Sequence, residues 1–239
     1  MHRECARQLL LVLLSMCARP ATSAGDRYLE SIFCIDGEGE AVRPGRLSQW
    51  MGVSPPTVTD ALRRMERDGL VVISRDRSVE LTMAGRERAT SIVRRHRILE
   101  RWLTDVLGLD WAVADEEADR LSSAMSELVV DQIDLSMGKP VTCPHGNPIP
   151  GRLPSYGTLV PLDTVPLETQ VRVRRISEVA EHEARPLLKR LSKVGIKEGS
   201  DVVITARDGA DGDLTIVVDD TPSALPVEAA RWIWVNGLT

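Results

Sequence analysis

Residues 45–85 read GRLSQWMGVSPPTVTDALRRMERDGLVVISRDRSVELTMAG, and the signals in this stretch predict two short helices, a β-hairpin and the start of a further helix. The first short helix ends at Gly52, and the hydroxyl of Ser54 can cap the second by accepting a hydrogen bond from its first turn. The two prolines after Ser54 fit that turn, where backbone N–H groups have no helical partner. Two runs of β-forming residues then flank a polar turn at 75–78. This order of elements is that of a winged helix-turn-helix domain, so we expect the stretch to bind DNA.

The second predicted helix, which starts after Ser54, has one apolar and one polar face. Apolar residues recur at helical spacing from Val58 to Met65, which directs short polar side chains outward at the start of the helix. Such side chains suit contact with base edges in the major groove, and two arginines at the hairpin tip suit contact with phosphates or the minor groove. The residues expected to contact DNA are Ser54, Pro56, Thr57, Thr59, Asp60 and Arg64 on the helix, and Arg75 and Arg77 at the hairpin tip.

The distribution of charge separates DNA binding from the alternative, in which the same elements serve only for packing. The formal net charge of the chain is -5 at pH 7, yet arginines are concentrated between Arg63 and Arg101. Because salt screens charges beyond about 8–10 Å, the local sign of the charge governs attraction to phosphate. We therefore favour DNA binding over a packing role.

The composition is that of a globular protein with more than one domain. A chain of 239 residues can form two modest domains, and a hydrophobic fraction of 43% with only 3% aromatic residues predicts cores built from aliphatic side chains. The cysteines are Cys5, Cys17, Cys34 and Cys143. Their spacing contains no C-x-x-C pair, which argues against a structural zinc site or a disulfide framework and favours a reducing cytoplasm.

Residues 1–24 differ in character from the rest of the chain. Arg3 and Arg7 precede the apolar run LLLVLLSMCA, and small residues follow it, as in a short signal peptide. The run is too short to predict a membrane span. Since a DNA-binding regulator acts at its operator in the cytoplasm, we favour an over-extended reading frame or a disordered leader over export, and we expect no role at a membrane.

The sequence after residue 82 predicts a helical region followed by a small β-rich region. Apolar stripes predict helices at 83–107 and about 114–137, which suit a dimerisation bundle, although a monomer can use the same stripes as its own core. Prolines and glycines accumulate at 139–170, which predicts a linker. The elements predicted beyond it are strands at 171–176, 201–205 and 214–218, a helix at about 181–191 and a closing strand at 231–235. They suit a small barrel.

Three segments resemble the diphtheria toxin repressor family of metal-dependent regulators. They are RRMERDGLVVISRDRSVELTMAGRERA at 63–89, RRHRILERWLTDVLGLD at 94–110 and CPHGNPIPG at 143–151, and the resemblance extends from about Asp26 to the C-terminus. It implies a homodimer that binds an inverted-repeat operator in double-stranded DNA when iron or manganese is bound. The chain carries no nucleophile elbow, phosphate-binding glycine loop or metalloprotease helix motif, so we expect no enzymatic activity.

These expectations combine into an α+β protein. The predicted segments are a leader at 1–24, a winged helix-turn-helix DNA-binding domain at 25–86, a helical dimerisation and metal-binding domain at 87–138, a linker at 139–170 and a domain at 171–239. The resemblance implies that the last domain is an SH3-like small β-barrel, of the kind also found in ferrous iron transport accessory proteins.

Three predicted helices each carry two potential metal ligands spaced four residues apart, so that both lie on one face. The pairs are Asp26 and Glu30, His96 and Glu100, and Asp115 and Asp119. Oxygen ligands with a single imidazole suit Mn²⁺ or Fe²⁺ better than Zn²⁺ or Cu²⁺. The alternative is that these are solvated faces or ion pairs with neighbouring arginines.

The resemblance assigns most of these side chains to the ancillary metal site of the family. It matches His96 and Glu100 to two ligands, places Asp115 where the family has a third, and matches Glu183 to a carboxylate from the SH3-like domain. The Cys-x-His pair at 143–145 lies in a segment that resembles a structural loop of the family, and we interpret it as structural.

The primary site of the family is altered in this chain. Iron-type members place Met, Cys, Glu and His where this sequence has Arg27, Asp119, Ser122 and Ser123. Manganese-type members place a Glu at the position of Glu30, so a reduced site of Glu30, His96 and Asp119 is the alternative. From the three departures we expect a small effect of metal on DNA binding, and the second candidate function is a metal-independent regulator of the same fold.

Overall fold

The computed structural model describes residues 24–183, 185–209 and 212–237, without the side chains of residues 112, 181–183 and 185. Apart from Ala24, the predicted leader lies outside the described residues. The first unit contains a helix that precedes the helix-turn-helix, the two short helices and the hairpin. Its elements are α1 (Ala24–Gly37), α2 (Pro44–Met51), α3 (Pro55–Arg67), β1 (Val71–Ile73) and β2 (Val79–Leu81).

The local signals in the sequence act as predicted in this unit. Gly52 has a φ of 63° and ends α2 in the left-handed conformation. The hydroxyl of Ser54 accepts a hydrogen bond of 3.4 Å from the backbone N–H of Thr57 and caps α3. The apolar side chains of α3 are buried against α1 and the hairpin, and β1 pairs with β2 in antiparallel register. The winged helix-turn-helix prediction is confirmed.

The second unit is helical and differs from the prediction at one point. It contains α4 (Met83–Asp105), α5 (Trp111–Ser122) and α6 (Glu127–Ser136). The helix predicted at 114–137 is therefore two helices, because Ser126 caps α6 by accepting from the N–H of Val129. Short hydroxyl side chains favour such caps over continued helix. Among the described residues, no helix is both long and apolar enough to cross a membrane.

The third unit is a six-stranded antiparallel sheet around an aliphatic core. Its strands are β3 (Val160–Pro161), β4 (Gln170–Ile176), β5 (Asp201–Arg207), β6 (Asp213–Val218), β7 (Thr221–Pro226) and β8 (Ile233–Gly237). Their order in the sheet is β3-β8-β4-β5-β6-β7. Its short helices are α7 (Glu178–Glu183), α8 (Arg185–Lys193) and α9 (Val227–Ala230). The prediction omitted β3 and β7, which contain prolines. Both lie at edges of the sheet, where a strand tolerates proline.

The segment predicted as a linker at 139–170 packs against both neighbours. His145 is fully buried, and its carbonyl accepts a hydrogen bond of 2.8 Å from the N–H of Ile176 in β4. Gly146 has a φ of 85°, and a Cβ there would lie 1.9 Å from the carbonyl oxygen of Arg174. From Val160 onward the segment already belongs to the sheet. The prolines and glycines therefore shape tight turns, and the stretch is no flexible linker.

Candidate metal centre and DNA-binding surface

The outer face of α3 and the hairpin tip form the candidate DNA-binding surface. Every residue predicted to contact DNA is exposed. The hydroxyls of Ser54 and Thr57 lie 2.8 Å apart at the start of α3, and Thr59 donates to the carbonyl of Pro55. Arg77 has a φ of 67° at the turn of the hairpin. The surface therefore presents short polar side chains from α3 beside a basic hairpin tip, and the individual DNA contacts stay predictions.

His96 on α4 lies at the centre of a cluster of carboxylates. Its Nε2 atom lies 3.5 Å from Oδ1 of Asp115 and 3.8 Å from Oε2 of Glu100, and its Nδ1 atom lies 3.2 Å from Oδ1 of Asp119. Glu30 on α1 adds a carboxylate oxygen within 4.8 Å of donor atoms of His96 and Asp119. The spacing of ligand pairs on three helices thus brings these side chains together. We call this set the His96 cluster.

Glu100 also belongs to a second, buried group of donor atoms with Cys143 and His145, all within 4.8 Å of one another. Its Oε1 atom lies 2.8 Å from Nδ1 of His145, and the Cys143 sulfur lies 3.7 Å from that nitrogen. The rings of Trp111 and His145 pack in a T-shaped arrangement, with centroids 4.8 Å apart. We call this set the Cys143 cluster. Because one oxygen of Glu100 faces each cluster, a single carboxylate joins them.

The interpretation of the Cys-x-His pair as structural stays a prediction, and the sequence did not indicate that these two residues lie beside a buried carboxylate. Their third partner, Glu100, is 43 positions earlier than Cys143 and is brought close only by packing of the loop against α4. Sequence spacing does not report such a contact.

The surrounding carboxylates decide the protonation of the His96 cluster. Burial alone would lower the pKa of His96, but hydrogen bonds to Asp115 and Asp119 and the charge of Glu100 raise it well above its ordinary value. Burial also raises the pKa of Glu30, against the opposing charge of His96. Without metal, the cluster therefore holds protons at the positions where a cation would bind.

A cavity of about 360 Å³ opens beside the His96 cluster between α1, α4 and α5. Arg27 and Ser122, two of the residues that depart from the family pattern, line it, and so does Glu178 from the third unit. Glu178 forms a buried ion pair with Arg97 of α4. The side chain of Glu183, predicted as a ligand, lies outside the described residues.

Both clusters fit a metal ion by the chemistry of their donors. The His96 cluster contains two groups of donors that share the imidazole, Glu30 with Asp119 and Glu100 with Asp115. One imidazole with carboxylates suits Mn²⁺ and Fe²⁺, and because the two ring nitrogens point in different directions, a single ion would use only one of these groups. The Cys143 cluster offers a carboxylate, an imidazole and a thiol, and the thiolate favours softer metal ions. A buried carboxylate such as that of Glu100, which is 1% exposed, is costly unless it is paired or binds a cation. Glu100 meets this requirement through its pairing with His145, and metal ligation by these residues stays a prediction.

The helical unit also carries a group of exposed apolar side chains. They are Val106 and Leu107 after α4, Val113 on α5, and Leu128, Val129 and Leu135 on α6. Leu128 is 71% exposed. A contiguous apolar patch marks a surface that another molecule covers, so these side chains are the candidates for such a surface.

Family comparisons divide the chain at nearly the same positions as its fold. Residues 22–79 match the iron dependent repressor N-terminal DNA binding domain, and residues 82–151 match the metal binding and dimerisation domain of the same repressors. Residues 160–237 match the FeoA domain. These matches confirm the α+β architecture, and the FeoA match begins at residue 160.

Individual relatives match over most of their length. The iron-dependent repressor IdeR of Mycobacterium tuberculosis is 35% identical over 223 residues, which cover 88% of this chain and 96% of the relative. The diphtheria toxin repressor of Corynebacterium diphtheriae is 33% identical over 219 residues, with 85% and 96% coverage. A solved manganese-dependent transcriptional repressor in complex with manganese superposes with a TM-score of 0.76 at 30% identity and covers 90% of this chain and 100% of its own. The chain therefore belongs to the family of iron-dependent repressors.

Proposed function

We propose that this protein is a homodimeric, metal-dependent transcriptional repressor that binds an inverted-repeat operator when Mn²⁺ or Fe²⁺ occupies the His96 cluster. The observation that carries the proposal is the convergence of Glu30, His96 and Asp119 from three helices. One of these helices, α1, packs in the core of the DNA-binding unit, while α4 and α5 belong to the helical unit. The cluster therefore lies between the DNA reader and the dimerising helices.

A bound cation would supply the positive charge that holds several carboxylates at one place. Glu30 would then be held against His96 and Asp119, which fixes α1 relative to α4 and α5. A metal ion changes DNA affinity only by as much as it favours the binding geometry over other geometries. The donors of the His96 cluster lie on both sides of the contact between α1 and the helices α4 and α5. A metal ion bound to donors on both sides would therefore favour the geometry in which these helices are packed together.

The convergence of the candidate ligands supports a larger metal effect than the altered primary site predicts. The expectation of a small effect rested on Arg27, Ser122 and Ser123 in place of three ligands of the related primary site. The described cluster supplies other donors, from Glu30, Asp115 and the shared carboxylate of Glu100. We therefore favour metal-dependent binding over the metal-independent alternative.

We propose that the exposed apolar side chains of α5 and α6 form the dimer interface. A two-fold dimer places two copies of α3 at symmetric positions, which matches an inverted repeat. The relatives named above are repressors, and the protein is expected to act in the cytoplasm, where its operator lies. We assign it no catalytic role.

Asp60→Ala tests the DNA-reading surface and the dimer together. An exposed aspartate on α3 can accept a hydrogen bond from N4 of cytosine, a contact that contributes roughly 1–3 kcal/mol of discrimination. In binding-site selection with metal, we expect the variant to lose the preference at one base pair of each half-site, at two positions related by symmetry. Glu66→Gln, which removes a charge from the same helix but faces the N–H of Ile73, is the control. If Asp60→Ala keeps every base preference of the wild type, Asp60 does not contact a base and is only a charge on the surface of α3.

The pKa of His96 predicts how the stability of the metal-free protein depends on pH. Because this pKa is raised above 6.5 on folding, its contribution to stability is complete below pH 6.5 and is lost as the pH rises through the folded-state pKa. Glu30 acts in the same direction, since its pKa is raised from 4.5. Thermal melts with chelator should therefore show lower stability at about pH 8 than at about pH 6. Metal should bind more tightly as the pH rises, because it displaces the proton of His96.

His96→Gln is the matched variant for this experiment. It should flatten the pH dependence of the melting temperature without metal. A wild-type protein whose metal-free stability is independent of pH over this range would show that the carboxylates do not hold a proton on His96.

A further inference from the structure

Glu38 lies immediately after α1 and joins the DNA-binding unit to the barrel. Its side chain is 6% exposed. One oxygen lies 2.8 Å from Nη2 of Arg175 in β4, and the other accepts a hydrogen bond of 3.0 Å from the backbone N–H of Glu178, the first residue of α7. Both carboxylate oxygens are therefore bound by groups of another domain. Hydrogen bonds to a buried charge are stronger than those between neutral groups.

Apolar contacts surround this carboxylate. Val179, next to Glu178 in α7, is 3% exposed and packs in the core of the DNA-binding unit rather than in that of the barrel. Trp232 packs against both cores. The barrel thus contacts the DNA-binding unit through a short segment, residues 175–179, together with Trp232.

The same segment of the barrel also contacts the loop that carries the Cys143 cluster. Arg175 donates to Oδ1 of Asn147 over 3.4 Å, and the side-chain amide of Asn147 donates to the carbonyl of Ile176. Glu178 pairs with Arg97 on α4, one residue after His96. A small group of residues therefore connects Glu38 with the loop and with the helix that carries the metal ligands.

We infer that Glu38 is a positioning residue for DNA binding, which holds the DNA-binding unit in a fixed orientation through Arg175 and the N–H of Glu178. The inference rests on the proposed function and adds a role for the barrel in it. A dimer must present two copies of α3 at one spacing to bind an operator. Fixing that orientation before binding reduces the entropy lost on association, so the contact strengthens DNA binding without touching DNA or metal.

The alternative is that Glu38 contributes only to the stability of the fold. The test therefore combines amide hydrogen exchange of the metal-free protein with the operator affinity of the metal-loaded protein. In Glu38→Ala we expect faster exchange at the N–H of Glu178, an unchanged number of bound metal ions, and an operator affinity that is weaker by about tenfold, within the usual range of coupling between sites. Glu38→Gln keeps an oxygen for the N–H of Glu178 but loses the charge. Its exchange rate and its operator affinity should therefore lie between those of the wild type and those of Glu38→Ala.

Glu40→Ala is the matched control. Glu40 lies two residues further in the same loop, but it pairs with Arg46 of its own unit at 2.6 Å, so its loss should change operator affinity less than twofold and leave exchange at Glu178 unaltered. Faster exchange in Glu38→Ala with wild-type operator affinity, or with tighter binding, would overturn the inference, as would unaltered exchange. The exchange measurement needs neither metal nor DNA. Wild-type protein that binds no operator with metal would instead reject the proposed function, and the role of Glu38 with it.

Discussion

Replacing Glu100 with glutamine is expected to weaken metal-dependent operator binding by at least about a hundredfold, or about 2.8 kcal/mol. Glu100 is the residue shared by the His96 and Cys143 clusters. Glutamine has nearly the same shape, so it should fill the buried site without leaving a cavity. Its neutral amide is a much weaker ligand for Mn²⁺ or Fe²⁺ than a carboxylate. The variant should therefore fold, bind less metal and bind operator weakly even when metal is in excess.

Two further variants and a direct measurement of metal binding make this result specific. Glu87→Gln removes a charge from an exposed position on the same helix and should behave as wild type. Cys143→Ser should reduce metal binding at the Cys143 cluster while the His96 cluster still binds an ion. Metal binding by Glu100→Gln, measured by calorimetry, should decrease at both clusters. Full metal binding and a full response to metal in Glu100→Gln would show that the shared carboxylate is not a ligand.

The DNA-binding unit could be predicted closely from the sequence because its signals are local. A capping serine, prolines in a first turn and a glycine at a helix end act within a few residues, and Ser54 and Gly52 take these roles in the structure. The same holds for ligand pairs four residues apart, such as His96 and Glu100, whose common face follows from the helix itself.

The features that could not be predicted depend on contacts between distant residues. A proline- and glycine-rich composition describes turns equally well in a flexible linker and in a packed loop, so burial of His145 against Glu100 was not foreseen. The break between α5 and α6 depends on a single cap at Ser126, within an apolar stripe that continues across it. Strands β3 and β7 pair through their backbones at sheet edges, where side-chain patterns are weak.

Metal control of DNA binding is the second large effect that the structure predicts. The donors of the His96 cluster come from α1 on the side of the DNA reader and from α4 and α5 on the side of the dimerising helices. Without metal, carboxylates of this cluster repel one another, and a protonated His96 offsets part of this repulsion. A bound divalent cation would reverse this repulsion, with Glu30 on α1, His96 on α4 and Asp119 on α5 as the residues that would hold it. To act as a switch, a repressor needs metal to favour the DNA-binding conformation over the other conformations by several kcal/mol.

The most direct test is a titration of operator binding by the wild-type protein with Mn²⁺ or Fe²⁺, after removal of metal by chelator and at constant ionic strength. We predict that metal tightens operator binding by at least about a hundredfold, corresponding to about 2.8 kcal/mol, and that chelator reverses the effect. Equal operator affinity with metal and with chelator would contradict the account, because the clusters around His96 and Glu100 would then have no control over the DNA-binding unit.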